Sequence, residues 1–140
     1  MTILGEGRQR EQLEKLIAAK NLAGRVQLAG YAANPLPQIA AADAFLMPSR
    51  FEGSPNAVLE ALACGTPAIV TRESGGIAEI AAQAPPGSVT VVDGMDEFTA
   101  AMEKVEPHAS DGFRPSLLPE SYDLQAVIRR FSELLERVST

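Results

Sequence analysis

The residues of this sequence best suited to chemistry are two carboxylates in a fixed relation, Glu52 and Glu60, with seven residues between them as Glu-x7-Glu. Between them lies Gly53-Ser54-Pro55-Asn56, which leads into the apolar stretch Ala57-Val58-Leu59-Glu60-Ala61-Leu62-Ala63-Cys64. That stretch reads as a helix from Asn56 to Cys64, with Gly65 where a C-cap would fall. The first turn of such a helix offers free N–H groups and a positive dipole end, suited to an anion such as phosphate. Gly53 lets the backbone approach a ligand closely. An apolar helix of this kind is expected to be buried nearly all round, and Glu60 is its only charge. An unpaired buried carboxylate is costly, so Glu60 should face a cleft or hold a hydrogen-bonded partner. Carboxylates repel phosphate, so both features serve one ligand only if the carboxylates take hydroxyls and the N–H groups take charged oxygens. A nucleotide sugar carries both chemistries. The bland alternative is a Glu60 paired with a buried Arg and a solvated Glu52. A hydrolase pair is a third reading of two carboxylates, and nothing else in the sequence supports it.

Other candidates are weaker. Arg50 and Arg72 fall at strand ends within reach of a phosphate, although a solvated surface charge is the commoner fate of such residues. His108 lies in Glu106-Pro107-His108-Ala109 with no partner pattern, and reads as a surface histidine. Cys64 reads as a packed small residue at a helix end. Gly5-Glu6-Gly7 lacks the third glycine of a dinucleotide fingerprint. With one Cys and one His, no disulfide framework forms and no metal site is expected.

The elements that must position these residues alternate along the chain. Short apolar runs at Thr2–Leu4, Val26–Ala29, Ala44–Met47, Ala68–Val70 and Val89–Val92 read as strands. Helical stretches follow at Arg8–Lys20, Pro37–Ala42, Asn56–Cys64, Gly76–Gln83, Met95–Val105 and Asp123–Val138. In the last, Val127, Phe131, Leu134, Leu135 and Val138 form one stripe, which reads as core packing. Pro85–Gly87 and Pro107–Pro119 read as loops. This order predicts one α/β domain over residues 1–140, a Rossmann-like doubly wound parallel sheet covered on both faces. Ligands then sit beyond the carboxyl ends of the strands, at Gly5–Arg8, Gly30–Asn34, Pro48–Asn56 and Thr71–Gly76. A chain of 140 residues with 46% hydrophobic and 21% charged composition is globular, and a net charge of −6 disfavours nucleic acid as a partner. No apolar run approaches the ~20 residues that span a bilayer, so the expected compartment is the cytoplasm.

Several segments, in order, resemble the group 1 retaining glycosyltransferases of the two-domain GT-B fold. They are Ile3–Gly7 with Arg10, Leu13 and Leu16; Arg25–Tyr31; Ala41–Ser49; Glu52–Pro67; and Gly75–Glu79, together covering residues 2–93. The resemblance implies a nucleotide-sugar-binding, C-terminal half of such an enzyme, and a sugar transferred with retention to an acceptor. Glu60 would hold the donor ribose, and Glu52, as the catalytic residue, would stabilise positive charge at the anomeric carbon. Gly53, Ser54, Pro55 and Asn56 would present the backbone to sugar and diphosphate, with Tyr31 and Ala32 along the base. Pro55 donates no N–H where many members have one, so a donor contact is lost or shifted. No cofactor is implied, since the nucleotide sugar is a substrate.

Measured against that pattern, an acceptor-binding domain and the first strand-helix unit of the donor domain are missing. The absent strand would leave a gap between the strands near Ile3 and Phe45. Those strands would have to close up, or a second chain or a second copy would complete the sheet. The chain alone is therefore expected to be inactive or weakly active, with peripheral membrane attachment, if any, made through a domain it lacks. The reading from another class is a non-catalytic nucleotide-binding or interaction module, or one half of a split enzyme.

Overall fold

A computed structural model describes residues 1–108 and 114–138. Part of the expected Pro107–Pro119 loop, residues 109–113, thus lies outside the described residues, as do 139 and 140. The contacts group into two compact units, Met1–Pro35 and Leu36–Thr140.

The first unit is a strand-helix-strand. Strand β1 (Thr2–Leu4) pairs in parallel with β2 (Gln27–Gly30), and α1 (Arg10–Ala19) connects them. The pairing slips after Ile3↔Leu28, so that Leu4 lies opposite Gly30. Arg10 braces the turn: its guanidinium donates to Glu6 at 2.7 Å, to Glu14 at 2.9 Å and to the Leu28 carbonyl at 3.3 Å. No residue of α1 is buried, and Leu16 of its apolar face is exposed. Coverage of both sheet faces, expected from the sequence, does not extend to this unit.

In the second unit coverage is complete around the central strand. After α2 (Leu36–Ala40), strands β3 (Phe45–Met47), β4 (Ala68–Thr71) and β5 (Val89–Val92) form a parallel sheet in that order. The linking helices are α3 (Asn56–Ala63) and α4 (Ile77–Gln83), and α5 (Gly94–Glu103) follows β5. Every residue of β4 is buried, as suits a strand with no charged residue covered on both faces. Strand side chains alternate between faces. Ala68 and Val70, with Met47, pack against Val58 and Leu62 of α3 and Ile77 and Ile80 of α4. Ile69 and Val92 face the other way, onto Phe98 of α5.

The ladder is divided: β1–β2 and β3–β4–β5 are separate sheets, with no pairing between β1 and β3. Beyond α5 a single 3-10 turn at Glu120–Tyr122, not foreseen from the sequence, leads to α6 (Leu124–Val138). Asp123 caps α6, its Oδ1 accepting from the Gln125 and Ala126 N–H groups at 2.9 and 3.2 Å. Only Ala126 of this helix is buried. Its stripe of Val127, Phe131, Leu134, Leu135 and Val138 is exposed, so the expected core packing of that stripe is absent among the described residues.

Candidate functional site

The site builds up from the carboxyl end of the three-stranded sheet, where β3 gives way to the loop Pro48–Pro55. Two buried groups fix that loop. Thr71, at the end of β4, donates from Oγ1 to the Ser49 carbonyl at 2.5 Å. Further along, Glu52 forms a parallel bridge with Ser74 of the β4–α4 loop. The two backbones meet there so closely that a Cβ on Gly75 would lie 2.3 Å from the Glu52 carbonyl oxygen. Only glycine permits that approach. The next residue, Gly76, is the N-cap of α4 in the left-handed region, at φ 74°. Ser74 is 1% exposed and its hydroxyl has no partner.

Within the pinned loop the Ser49 hydroxyl donates to Glu52 Oε1 at 2.8 Å, which aims the carboxylate. Pro55 is buried and serves as N-cap of α3. Its carbonyl accepts from the N–H groups of Val58 at 2.9 Å and Leu59 at 3.4 Å. The Asn56 N–H turns back to the Ser54 carbonyl at 2.9 Å, while the Ser54 hydroxyl donates to Asn56 Oδ1 at 3.2 Å. The N–H groups of Ser54 and Ala57 have no acceptor among the described residues. Proline therefore shifts the free donors to either side of itself.

Helix α3 is less buried than its apolar sequence predicts. Glu60 is exposed, and its carboxylate makes no hydrogen bond or ion pair among the described residues. Helix α3 buries Val58, Ala61 and Leu62 and leaves Asn56, Glu60 and Ala63 open along one face. The physical reason is composition: the open apolar position is an alanine, which loses little by facing water. Neither a surrounding apolar wall nor a buried Arg partner holds Glu60.

Arg72 is likewise not available as a free cation. It is bound to Asp93, by Nε to Oδ1 at 2.5 Å and Nη2 to Oδ2 at 3.1 Å. That hydrogen bond, with the guanidinium charge, holds the Asp93 carboxyl below its usual range and raises Arg72 in turn. The Asp93 N–H donates to Glu97 at 2.8 Å at the start of α5. Arg50 is exposed and makes no such pair.

Of the residues singled out from the sequence, Glu52, Gly53, Ser54, Pro55, Asn56 and Glu60 thus fall on one loop-helix junction. Tyr31, which is exposed, and Ala32 belong to the first unit, just past β2. His108 is held by its backbone N–H, which donates to Asp43 at 2.6 Å. Cys64 is half-buried with its thiol 4.0 Å from the Leu36 carbonyl, as a packed residue would be. A groove of about 660 Å³ runs beside α5, lined by Asp43, Pro67, Gly87, Val92, Glu97 and Lys104 among others, and contains none of these residues. Thr71, Ser74 and Asp93 carry the loops yet gave no sequence signal of their own, except that Asp93 precedes a helix as an N-cap would.

Residues 1–109 match the family "Glycosyl transferases group 1". The chain belongs to that family. Among its relatives is the lipopolysaccharide core biosynthesis glycosyltransferase LpsE of Rhizobium meliloti, 41% identical over 73 residues, which are 52% of this chain and 22% of that protein. Another is a Campylobacter jejuni enzyme named as a diphospho-undecaprenol N-acetylgalactosaminyltransferase, 34% identical over 93 residues, 66% of this chain and 26% of that one. The chain therefore spans about a quarter of the length of these curated relatives. Among solved structures, the lipopolysaccharide outer core galactosyltransferase WaaB superposes with a TM-score of 0.77 at 20% identity, over 97% of this chain and 40% of that one. HepE of Anabaena, solved with UDP and glucose, gives 0.67 at 18% identity over the same shares. Those superpositions agree with a Rossmann-like half of the GT-B fold for this group 1 glycosyltransferase sequence.

Proposed function

We propose that this chain is the donor-binding part of a retaining glycosyltransferase, taking a nucleotide-diphosphate sugar at the Glu52–Glu60 junction. The observation that carries this reading is the pinned Glu52 loop. Its backbone is locked against Gly75 and Thr71, while Glu60 and the Ser54 and Ala57 N–H groups stand open beside it. In this reading Glu60 accepts hydrogen bonds from the ribose hydroxyls, and the free N–H groups with the α3 dipole take the diphosphate. Gly53 and Asn56 frame the sugar. Glu52, oriented by Ser49, stabilises the oxocarbenium-like charge as the glycosidic bond to the nucleotide breaks. The acceptor attacks from the face the leaving group occupied, which retains configuration.

HepE, a structural neighbour, was solved with UDP, which supports the same ligand class here. The unpaired edges of β1 and β3 support completion of the sheet by a second chain or a second copy, so transfer by the purified chain alone should be weak or absent. The test is calorimetric titration with UDP, GDP, ADP and their sugars, on the wild type and Glu60→Ala. Saturable binding of one nucleotide class, weakened at least ~10-fold by the substitution, is expected for a residue holding a ribose diol by charge-assisted hydrogen bonds. A folded wild type that binds none of these ligands would overturn the donor-site reading and favour an interaction module.

A further inference from the structure

We propose that Arg50 is the phosphate-binding cation of this site; the inference rests on the donor-site reading above. A nucleoside diphosphate arriving at the carboxyl end of the three-stranded sheet meets a strongly acidic rim. Glu52, Glu60 and Glu73 are exposed there, with Asp93 and Glu97 at the end of β5. Exposed charges within a Debye length, about 8 Å at physiological salt, act on the ligand without full screening. Two free N–H groups and a helix dipole supply partial charges only. A full positive charge is needed to offset the carboxylates.

The loops that carry the site contain two candidates, Arg50 and Arg72. Arg72 is already neutralised, gripped by both oxygens of Asp93. Arg50 has no ion pair or hydrogen bond among the described residues, although Glu52 lies two positions along the same loop. The Glu52 carboxylate takes the Ser49 hydroxyl instead, which leaves the guanidinium uncommitted. The main chain on either side of Arg50 is fixed, at the Ser49 carbonyl by Thr71 and at Glu52 by the Ser74 bridge. A fixed stem with a free fork suits bidentate capture of phosphate oxygens.

The test uses 15N-labelled full chain and amide chemical-shift titration with UDP, GDP and ADP, each beside its own nucleoside. Wild type, Arg50→Ala, Arg50→Lys and Glu60→Ala are compared, their folds checked by the same spectra. Arg50→Ala should weaken the diphosphate about 10-fold and leave the nucleoside within twofold, as loss of one charge-assisted contact predicts. Arg50→Lys should recover part of that loss, since it keeps the charge but not the fork. Raising the salt should narrow the gap between wild type and Arg50→Ala. Glu60→Ala should weaken diphosphate and nucleoside in equal proportion. If the wild type prefers a diphosphate and Arg50→Ala keeps that preference unchanged, the role of Arg50 is overturned while the donor site stands. If the folded wild type shifts with no nucleotide, both fall.

Discussion

Gly75 offers a stringent check on how the site is held. Replacing it with alanine places a methyl group 2.3 Å from the Glu52 carbonyl oxygen and 3.4 Å from the Gly53 carbonyl oxygen. Both are backbone atoms, so no side chain can swing away; one loop must move by close to 1 Å. Overpacking of this kind costs about 1–3 kcal/mol. Gly75 is not in the left-handed region, so the alanine suffers no φ strain and would by itself gain about 0.4–1 kcal/mol by restricting the unfolded chain. The net expectation is a loss of about 1–2 kcal/mol, which lowers the thermal midpoint by roughly 3–8 °C for a chain of this size. Gly53→Ala is the matched control: nothing lies within 4 Å of its Cβ and its φ is not positive. It should melt at or slightly above the wild type. Circular-dichroism melts of the three proteins, with amide spectra of the Ser49–Asn56 segment, decide the matter. If Gly75→Ala melts with Gly53→Ala and leaves the Glu52 amide unmoved, the close packing of the two loops is wrong, and the orientation of Glu52 with it.

Three further outcomes follow from the same structure. Leu62, wholly buried between α3 and the sheet, should cost about 2–5 kcal/mol when cut to alanine, read as a lower urea midpoint; a loss below ~1 kcal/mol would place the core elsewhere. Because the hydrogen bond and charge of Arg72 hold the Asp93 carboxyl below the usual carboxylate range, the folded state binds that proton less readily than the unfolded chain. The pair therefore supports the fold above about pH 4 and loses this support as the pH falls further, so Asp93→Asn should flatten the acid limb of a stability profile; an unchanged limb refutes the pair. Burial first and the Glu79 charge second push the Tyr122 hydroxyl above 10.0, so its contribution is intact below that pH and declines above it. Tyr122→Phe should remove this alkaline decline, and a decline that persists in the variant would count against burial of the hydroxyl.

Much of this arrangement was legible in the sequence because its signals are local. The buried run Ala68-Ile69-Val70, the turn Gly75-Gly76 and the helix from Asn56 each declare themselves within a few residues, and all three lie where the spacing put them. The errors share a physical cause. The helix carrying Glu60 was expected to be buried nearly all round because it is apolar, but Ala63 carries hydrophobicity on paper and almost no area to bury, so the helix can turn that side outward. Arg72 and Asp93 meet across 21 residues, between the ends of neighbouring strands, and no local pattern reports such a pair.

The distribution of order in the site bears on how tightly it can bind. Most of the restraint falls on the main chain, through Thr71, Ser74 and Gly75, which are buried or half-buried. The groups that would touch a donor, Arg50, Glu52 and Glu60, are exposed, and only Glu52 has its side chain held. Immobilising each of the other two long side chains on binding costs about 0.5–1.5 kcal/mol, and their charges must also be desolvated. Some of the favourable contact energy is offset before any appears as affinity. Affinity for the donor should therefore be modest in this chain and should rise when a further chain covers the junction, since exclusion of water strengthens each of these charged contacts. Measured affinity that is already tight, and unchanged when the sheet edges are covered, would mean that the side chains are ordered by contacts other than those described.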